Sequence, residues 1–270
     1  MNNFLLRTIT GIVFVGVIVS AIVFSPLIFA GLFFCITLLG LHEFYNLLQS
    51  GGKSPQFYLG MVSGGLLFAS LAAVANGWMN SEYLIALLPL GIIVFISELY
   101  RNKLSPFENI ALTLLGILYI ALPFGLLNFL FISGLNHAYI ILLCYFALLW
   151  INDTFAYLIG RTFGKHRLFE RISPKKSWEG SIGGALTSIF AAWLISSFEN
   201  SLPFVHWLAI ALIIVICGTL GDLVESMLKR SLNIKDSGTL LPGHGGILDR
   251  FDAVFISAPL IFVYIQLFIK

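Results

Sequence analysis

The residues able to do chemistry in this 270-residue chain are concentrated after position 150, in three polar clusters set among apolar runs. The densest comprises Gly221-Asp-Leu-Val-Glu-Ser-Met-Leu-Lys-Arg230, Lys235-Asp236 and Leu241-Pro-Gly-His-Gly-Gly-Ile-Leu-Asp-Arg-Phe-Asp252. On a helix Asp222, Ser226 and Lys229 or Arg230 recur at i, i+4 and i+7 or i+8 and share one face. Asp249 and Asp252, three apart at the start of the next apolar run, share another. Carboxylates on two helices, with oxygen donors and no Cys or His cluster around them, suit a hard divalent cation such as Mg²⁺. Such an ion keeps waters and takes further ligands from phosphate. A structural salt-bridge network would account for one Asp–Arg pair. It accounts poorly for acids of Asp222–Asp252 and bases of Lys176–Arg250 gathered together.

The second cluster is Ser173-Pro-Lys-Lys-Ser-Trp-Glu-Gly180, followed by Gly183-Gly184. Ser177 is a predicted N-cap, and the free N–H groups of a helix start beside Lys175 and Lys176 make an anion site. Taken alone, the two lysines read equally as a solvated flank. Gly180 and Gly184 fit a small-residue helix-packing face. The third cluster is Trp150-Ile-Asn-Asp-Thr-Phe-Ala-Tyr157 with Gly160-Arg-Thr-Phe-Gly-Lys165. Asp153 falls inside an apolar helix, where a carboxylate is costly unless it faces a cavity or a partner, so it is a candidate functional group. Its bland alternative is a helix–helix hydrogen bond.

The elements that must carry these clusters are membrane helices. Of the chain, 59% is hydrophobic and only 10% charged, against about 25% charged in soluble domains. A spanning helix needs about 20 mostly apolar residues. Polar breaks and Gly/Pro punctuation predict nine spans, at 6–24, 27–48, 57–75, 82–99, 107–132, 138–160, 178–198, 203–230 and 250–269. Pro123 and Gly125 would kink or split the fifth. The expected fold is an all-α polytopic membrane protein. Its first half, 1–135, is apolar scaffold, with the acidic Glu43 near a helix end; its second, 136–270, is the catalytic region. A homodimer contacting through the first half is compatible with this pattern.

With the N-terminus in the cytoplasm, every Lys and Arg except Lys270 falls on the cytoplasmic side, as the positive-inside rule requires. The expected location is the inner membrane, with the polar clusters facing the cytoplasm. A net charge of +2 offers no reason to invoke nucleic acid. Cys35, Cys144 and Cys217 lie in apolar runs and form no metal-binding pair. A secondary transporter would show similar halves and midplane charges, and this sequence shows neither.

The stretch Ser226-Met-Leu-Lys-Arg-Ser-Leu-Asn-Ile-Lys-Asp-Ser-Gly-Thr-Leu-Leu-Pro-Gly-His-Gly-Gly-Ile-Leu-Asp-Arg-Phe-Asp252 resembles the signature of phosphatidate cytidylyltransferases, or CDP-diacylglycerol synthases. The Asp153 and Ser173–Gly180 stretches are also similar to that family's, so the resemblance covers about residues 150–252. It implies transfer of CMP from CTP to phosphatidate, giving CDP-diacylglycerol and pyrophosphate for phospholipid synthesis, with Mg²⁺ required. It also implies that Asp222 and Asp249 ligate the metal, in a centre that in this family can include a monovalent cation such as K⁺. Lys175, Lys176, Lys229, Arg230 and Arg250 are then candidate phosphate clamps, with Ser177 and Ser226 beside them. Lys235, Asp236, His244, Gly245 and Gly246 would contact nucleotide or close the site, and Asp153 and Asp252 would orient metal, water or substrate. The rivals within enzymes are a CTP-dependent polyprenol kinase, distinguished by releasing CDP rather than pyrophosphate, and a cytidylyltransferase acting on a different lipid phosphate.

Overall fold

The computed structural model describes residues 3–131, 137–232, 234 and 245–269, with side chains from residue 9 onward. Among the described residues the apolar helices are α1 Asn3–Phe24, α2 Pro26–Ser50, α3 Phe57–Ala75, α4 Ser81–Arg101, α5 Pro106–Leu130, α6 Ile140–Phe163, α7 Trp178–Phe198, α8 Phe204–Ser231 and α9 Leu248–Phe268. Among the described residues, α2 to α9 are the eight long and apolar enough to cross a membrane, and Ile9–Phe24 of α1 is a shorter apolar helix. Between α6 and α7 lies an antiparallel pair, β1 Arg167–Phe169 and β2 Ser173–Ser177.

Local chemistry sets the helix ends. Ser25 is extended and its Oγ accepts the Leu27 N–H at 3.2 Å, with Pro26 in the first turn, where its missing N–H costs nothing. The break after α2 turns through Gly52, at φ +79°. The fifth span is interrupted, as Pro123 and Gly125 suggested. A π-helical turn over Ile117–Ala121 precedes a resumed helix at Leu122, which places Pro123 in a first turn where it displaces no backbone hydrogen bond.

The chain forms two compact units. The first comprises Met1–Phe129 with Ser231–Phe251. Its core is aromatic: Phe29, Phe33, Phe44, Tyr45, Phe68 and Phe124 are buried, and Phe14, Phe33 and Phe124 meet the Phe251 ring edge-on at 5.6, 5.8 and 5.0 Å. Tyr45 donates its hydroxyl to the Thr113 carbonyl at 2.7 Å, and Gly60 and Gly116 leave room for its ring. Buried Glu98 is satisfied by Gln56, Asn109 and Arg101, the condition on which a buried carboxylate is tolerated.

The second unit comprises Leu130–Arg230 with Asp252–Lys270. Here helices meet backbone to backbone. A Cβ on Gly180 would lie 2.6 Å from the Ala156 carbonyl, and one on Gly184 would lie 2.8 Å from both Asn152 oxygens. This is the small-residue packing that membrane helices use, because lipid supplies no hydrophobic drive to associate them. Gly221 likewise sits on the backbone of Asp252 and Ala253, and Gly218 faces Ala253.

These contacts generate a stability prediction. Gly184→Ala, which must displace Asn152, should destabilise the protein in detergent by about 1–3 kcal/mol. Gly31→Ala, whose Cβ meets nothing within 4 Å, should stay within about 0.5 kcal/mol. Thermal melts of the two variants provide the measurement.

Candidate metal centre and active site

In the second unit, close approach at Gly221 brings α8 against the first turns of α9. The carboxylates of Asp222, Glu225 and Asp252 offer oxygens within 4.8 Å of one another. Asp222 and Glu225 are three apart and therefore share a face of α8. Asp222 is half-exposed, whereas Glu225 is buried. Such proximity is repulsive, and cations compensate it. Lys176 Nζ lies 2.6 Å from Asp222 Oδ2 and donates to the Thr219 carbonyl at 3.2 Å. Lys229 Nζ lies 2.5 Å from Glu225 Oε2, one turn along α8. Ser226 donates to Asp222 Oδ1 at 3.3 Å, and the Ala253 N–H donates to Asp252 Oδ1 at 2.7 Å.

Lys176 reaches the cluster because the strand pair aims it there. Ser177, extended, caps α7 by accepting the Gly180 N–H at 3.2 Å. Glu179, in the first turn of α7, accepts the N–H groups of Lys165 at 3.1 Å and His166 at 3.2 Å and holds His166 Nδ1 at 2.6 Å. The Trp178 N–H closes onto the His166 carbonyl at 2.9 Å. The hairpin is thus clipped to the helix it precedes, with Lys176 half-buried and Lys175 exposed.

In the first unit, the described part of the glycine turn has its own geometry. Asp249 Oδ2 accepts the Gly246 N–H at 2.9 Å, folding back over the start of α9. Gly245 has φ +82°, a conformation costly for any side-chain-bearing residue, and a Cβ there would also run into Asp249. At Gly246 a Cβ would overlap the Glu43 carboxylate, whose Oε2 and Oε1 accept the N–H groups of Ile247 at 2.7 Å and Leu248 at 3.2 Å.

The residues singled out from sequence therefore fall into groups. Lys176, Ser226, Lys229, Asp222 and Asp252 come together, while Gly245, Gly246 and Asp249 form the turn that opens α9. Asp249 stands one turn before Asp252 on that helix. Arg230 and Arg250 are exposed at helix ends, and Asp153 is exposed beside buried Asn152, which donates to it at 3.4 Å. Lys235, Asp236 and His244 lie outside the described residues. Sequence reasoning missed two participants. Glu225 carried a usable signal in its three-residue spacing from Asp222, whereas the contact between Glu43 and the glycine turn had none.

The donor set is all oxygen, three carboxylates with two lysines beside them. That fits a hard divalent cation better than a soft or borderline metal, which would call for Cys or His.

The model of the Cytidylyltransferase family matches residues 5–268. A protein of Staphylococcus saprophyticus named phosphatidate cytidylyltransferase is 38% identical over 200 residues, 73% of this chain and 75% of that one. Proteins of the same name are 36% identical in Rickettsia felis, over 76% of this chain and 90% of that protein, and 35% identical in Staphylococcus aureus, over 84% and 85%. The chain belongs to the cytidylyltransferase family and is an enzyme of the nucleotidyltransferase class.

The geometry of the acid cluster yields a binding prediction. Without divalent cation, Asp252→Asn should melt no lower than wild type, because it relieves repulsion while its amide oxygen can still accept the Ala253 N–H. With Mg²⁺ at 100 times its Kd, wild type should gain about 2.7 kcal/mol, and the variant should gain little. Thermal shift against Mg²⁺ concentration in detergent reads both effects.

Proposed function

We propose that this member of the cytidylyltransferase family transfers CMP from CTP to phosphatidate, releasing pyrophosphate and forming CDP-diacylglycerol for phospholipid synthesis. One observation carries the reading: in a helical membrane enzyme of this family, three carboxylates and two lysines converge where α8 meets α9. That arrangement suits phosphate chemistry with a divalent cation. The substrate identity draws on the relatives' names.

In the reaction, a phosphate oxygen of phosphatidate attacks the α-phosphorus of CTP while the bond to pyrophosphate breaks. The nucleophile is already anionic near neutral pH, so no protein group need remove a proton. What remains for the protein is alignment and charge neutralisation. Mg²⁺, when bound, supplies positive charge against the phosphate oxygens. Asp222 and Asp252, with Glu225 behind them, would hold it, and Asp249, one turn away along α9, is the further ligand. Lys176 and Lys229, which lie against Asp222 and Glu225, would supply positive charge for the substrate phosphates. Arg230, Arg250 and Lys175 would add positive charge around the triphosphate. Lys235, Asp236, His244 and the two glycines of the turn would contact nucleotide.

The distribution of Lys and Arg supports a cytoplasmic N-terminus and a site on the cytoplasmic face of the bacterial inner membrane, where CTP is available. Lipid chains would then reach the site sideways, between helices, without leaving the bilayer.

Purified protein in detergent with CTP, phosphatidate and Mg²⁺ should release pyrophosphate and form CDP-diacylglycerol. Release of CDP instead would identify a kinase and overturn the assignment. Asp222→Asn and Asp249→Asn should each reduce kcat by a factor on the order of 100 or more. Full activity in Asp249→Asn would remove that residue from the ligand set.

A further inference from the structure

The apolar first half contains carboxylates that the mechanism does not use, and one of them reaches the glycine turn. Glu43, on α2, is only 5% exposed. Its two oxygens accept the Ile247 and Leu248 N–H groups across 204 and 205 positions of sequence. A helix start leaves its first N–H groups without intrahelical partners and bears partial positive charge, so a carboxylate is well suited to it. Packing alone would have been met by an apolar side chain, as it is at neighbouring Leu41 and Phe44, both fully buried.

The consequence for Asp249 follows link by link. With the Ile247 and Leu248 amides fixed by Glu43, the preceding Gly246 amide is presented to Asp249 Oδ2, which it meets at 2.9 Å. The turn tolerates no side chain on either glycine: one would strike Asp249, the other Glu43. Behind it, Ile247 packs near Gly40 of α2, and Phe251 is ringed by Phe14, Phe33 and Phe124. The Asp249 carboxylate is thus oriented by a chain of contacts that runs back to Glu43.

We infer that Glu43 is a positioning residue: from the N-terminal half it fixes the turn that orients Asp249, and so sets the rate of transfer without touching substrate. This rests on the reading above that Asp249 serves the reaction. Hydrogen exchange by mass spectrometry on the full-length protein in detergent, with steady-state kinetics on the same preparations, tests it. Glu43→Gln keeps the shape but sets an NH₂ group against one of the two N–H donors. Exchange across 245–251 should quicken by about tenfold, while peptides of α3 and α7 exchange as in wild type. The same variant should lose kcat by about 100-fold, with KM for CTP within about threefold of wild type. Gly246→Ala, which keeps the carboxylate but fills its space, should reproduce the local exchange change.

Unchanged exchange over 245–251 in Glu43→Gln, or a kcat within about twofold of wild type, overturns the inference. So does faster exchange spread evenly through the first unit, the mark of general loosening. If wild type itself forms no CDP-diacylglycerol, the functional reading fails, and the exchange result alone then decides whether Glu43 anchors the turn.

Discussion

Carboxylates gathered in an apolar protein repel one another and lose hydration, so each must be met by a cation or by backbone N–H groups. Much of what is distinctive in this structure answers that requirement. In the second unit the answer is cationic, with Lys176 on Asp222 and Lys229 on Glu225. In the first unit it is backbone, with the Gly246 amide on Asp249 and the Ile247 and Leu248 amides on Glu43. The two solutions differ in what they permit. An ammonium group on a flexible stem can exchange one anion for another, whereas amides at a helix start are fixed in place. The lysine-held acids can thus trade partners, and the amide-held acids keep theirs.

The frame depends on residues with no side chain at all. Gly221 lets α8 touch the backbone of Asp252, and through that contact Asp222 and Asp252 come within reach of one another. Gly180 and Gly184 do the same for α6 and α7, and α7 carries the clipped hairpin that delivers Lys176. Where lipid offers no hydrophobic drive, closeness of approach is the source of attraction. The polar site thus inherits its tolerances from glycine contacts.

Much of this was legible in the sequence wherever the signal is local. Ser177 announces a helix start by the chemistry of a cap and acts as one, while Ser25, a cap as well, stands at the break between α1 and α2. Length and apolarity gave the helical spans to within a few residues, and Pro123 with Gly125 marked a span whose helix is interrupted. The spacing of Gly180 and Gly184 announced a packing face. Contacts joining distant positions left no such trace. Nothing near Glu43 in the sequence points to Ile247, because the pairing is made by the packing of α2 against a turn some two hundred residues later. The β1–β2 hairpin was hidden for another reason: it is short, basic and irregular in register, without the alternation that betrays a strand. Glu225 was readable at i+3 from Asp222, yet in a stretch rich in ionisable groups its neighbours drew the attention.

The division of the chain carries a consequence for biosynthesis. The first unit is not contiguous: Met1–Phe129 is completed by Ser231–Phe251. A ribosome adding about 5–20 residues per second delivers the completing segment on the order of ten seconds after the fifth span has entered the bilayer. Through that interval the Phe251 ring is missing from among Phe14, Phe33 and Phe124, and the hydrogen bonds from Ile247 and Leu248 to Glu43 cannot form. The nascent first half is thus held in the membrane with an unfinished core and an acidic group awaiting two of its amides.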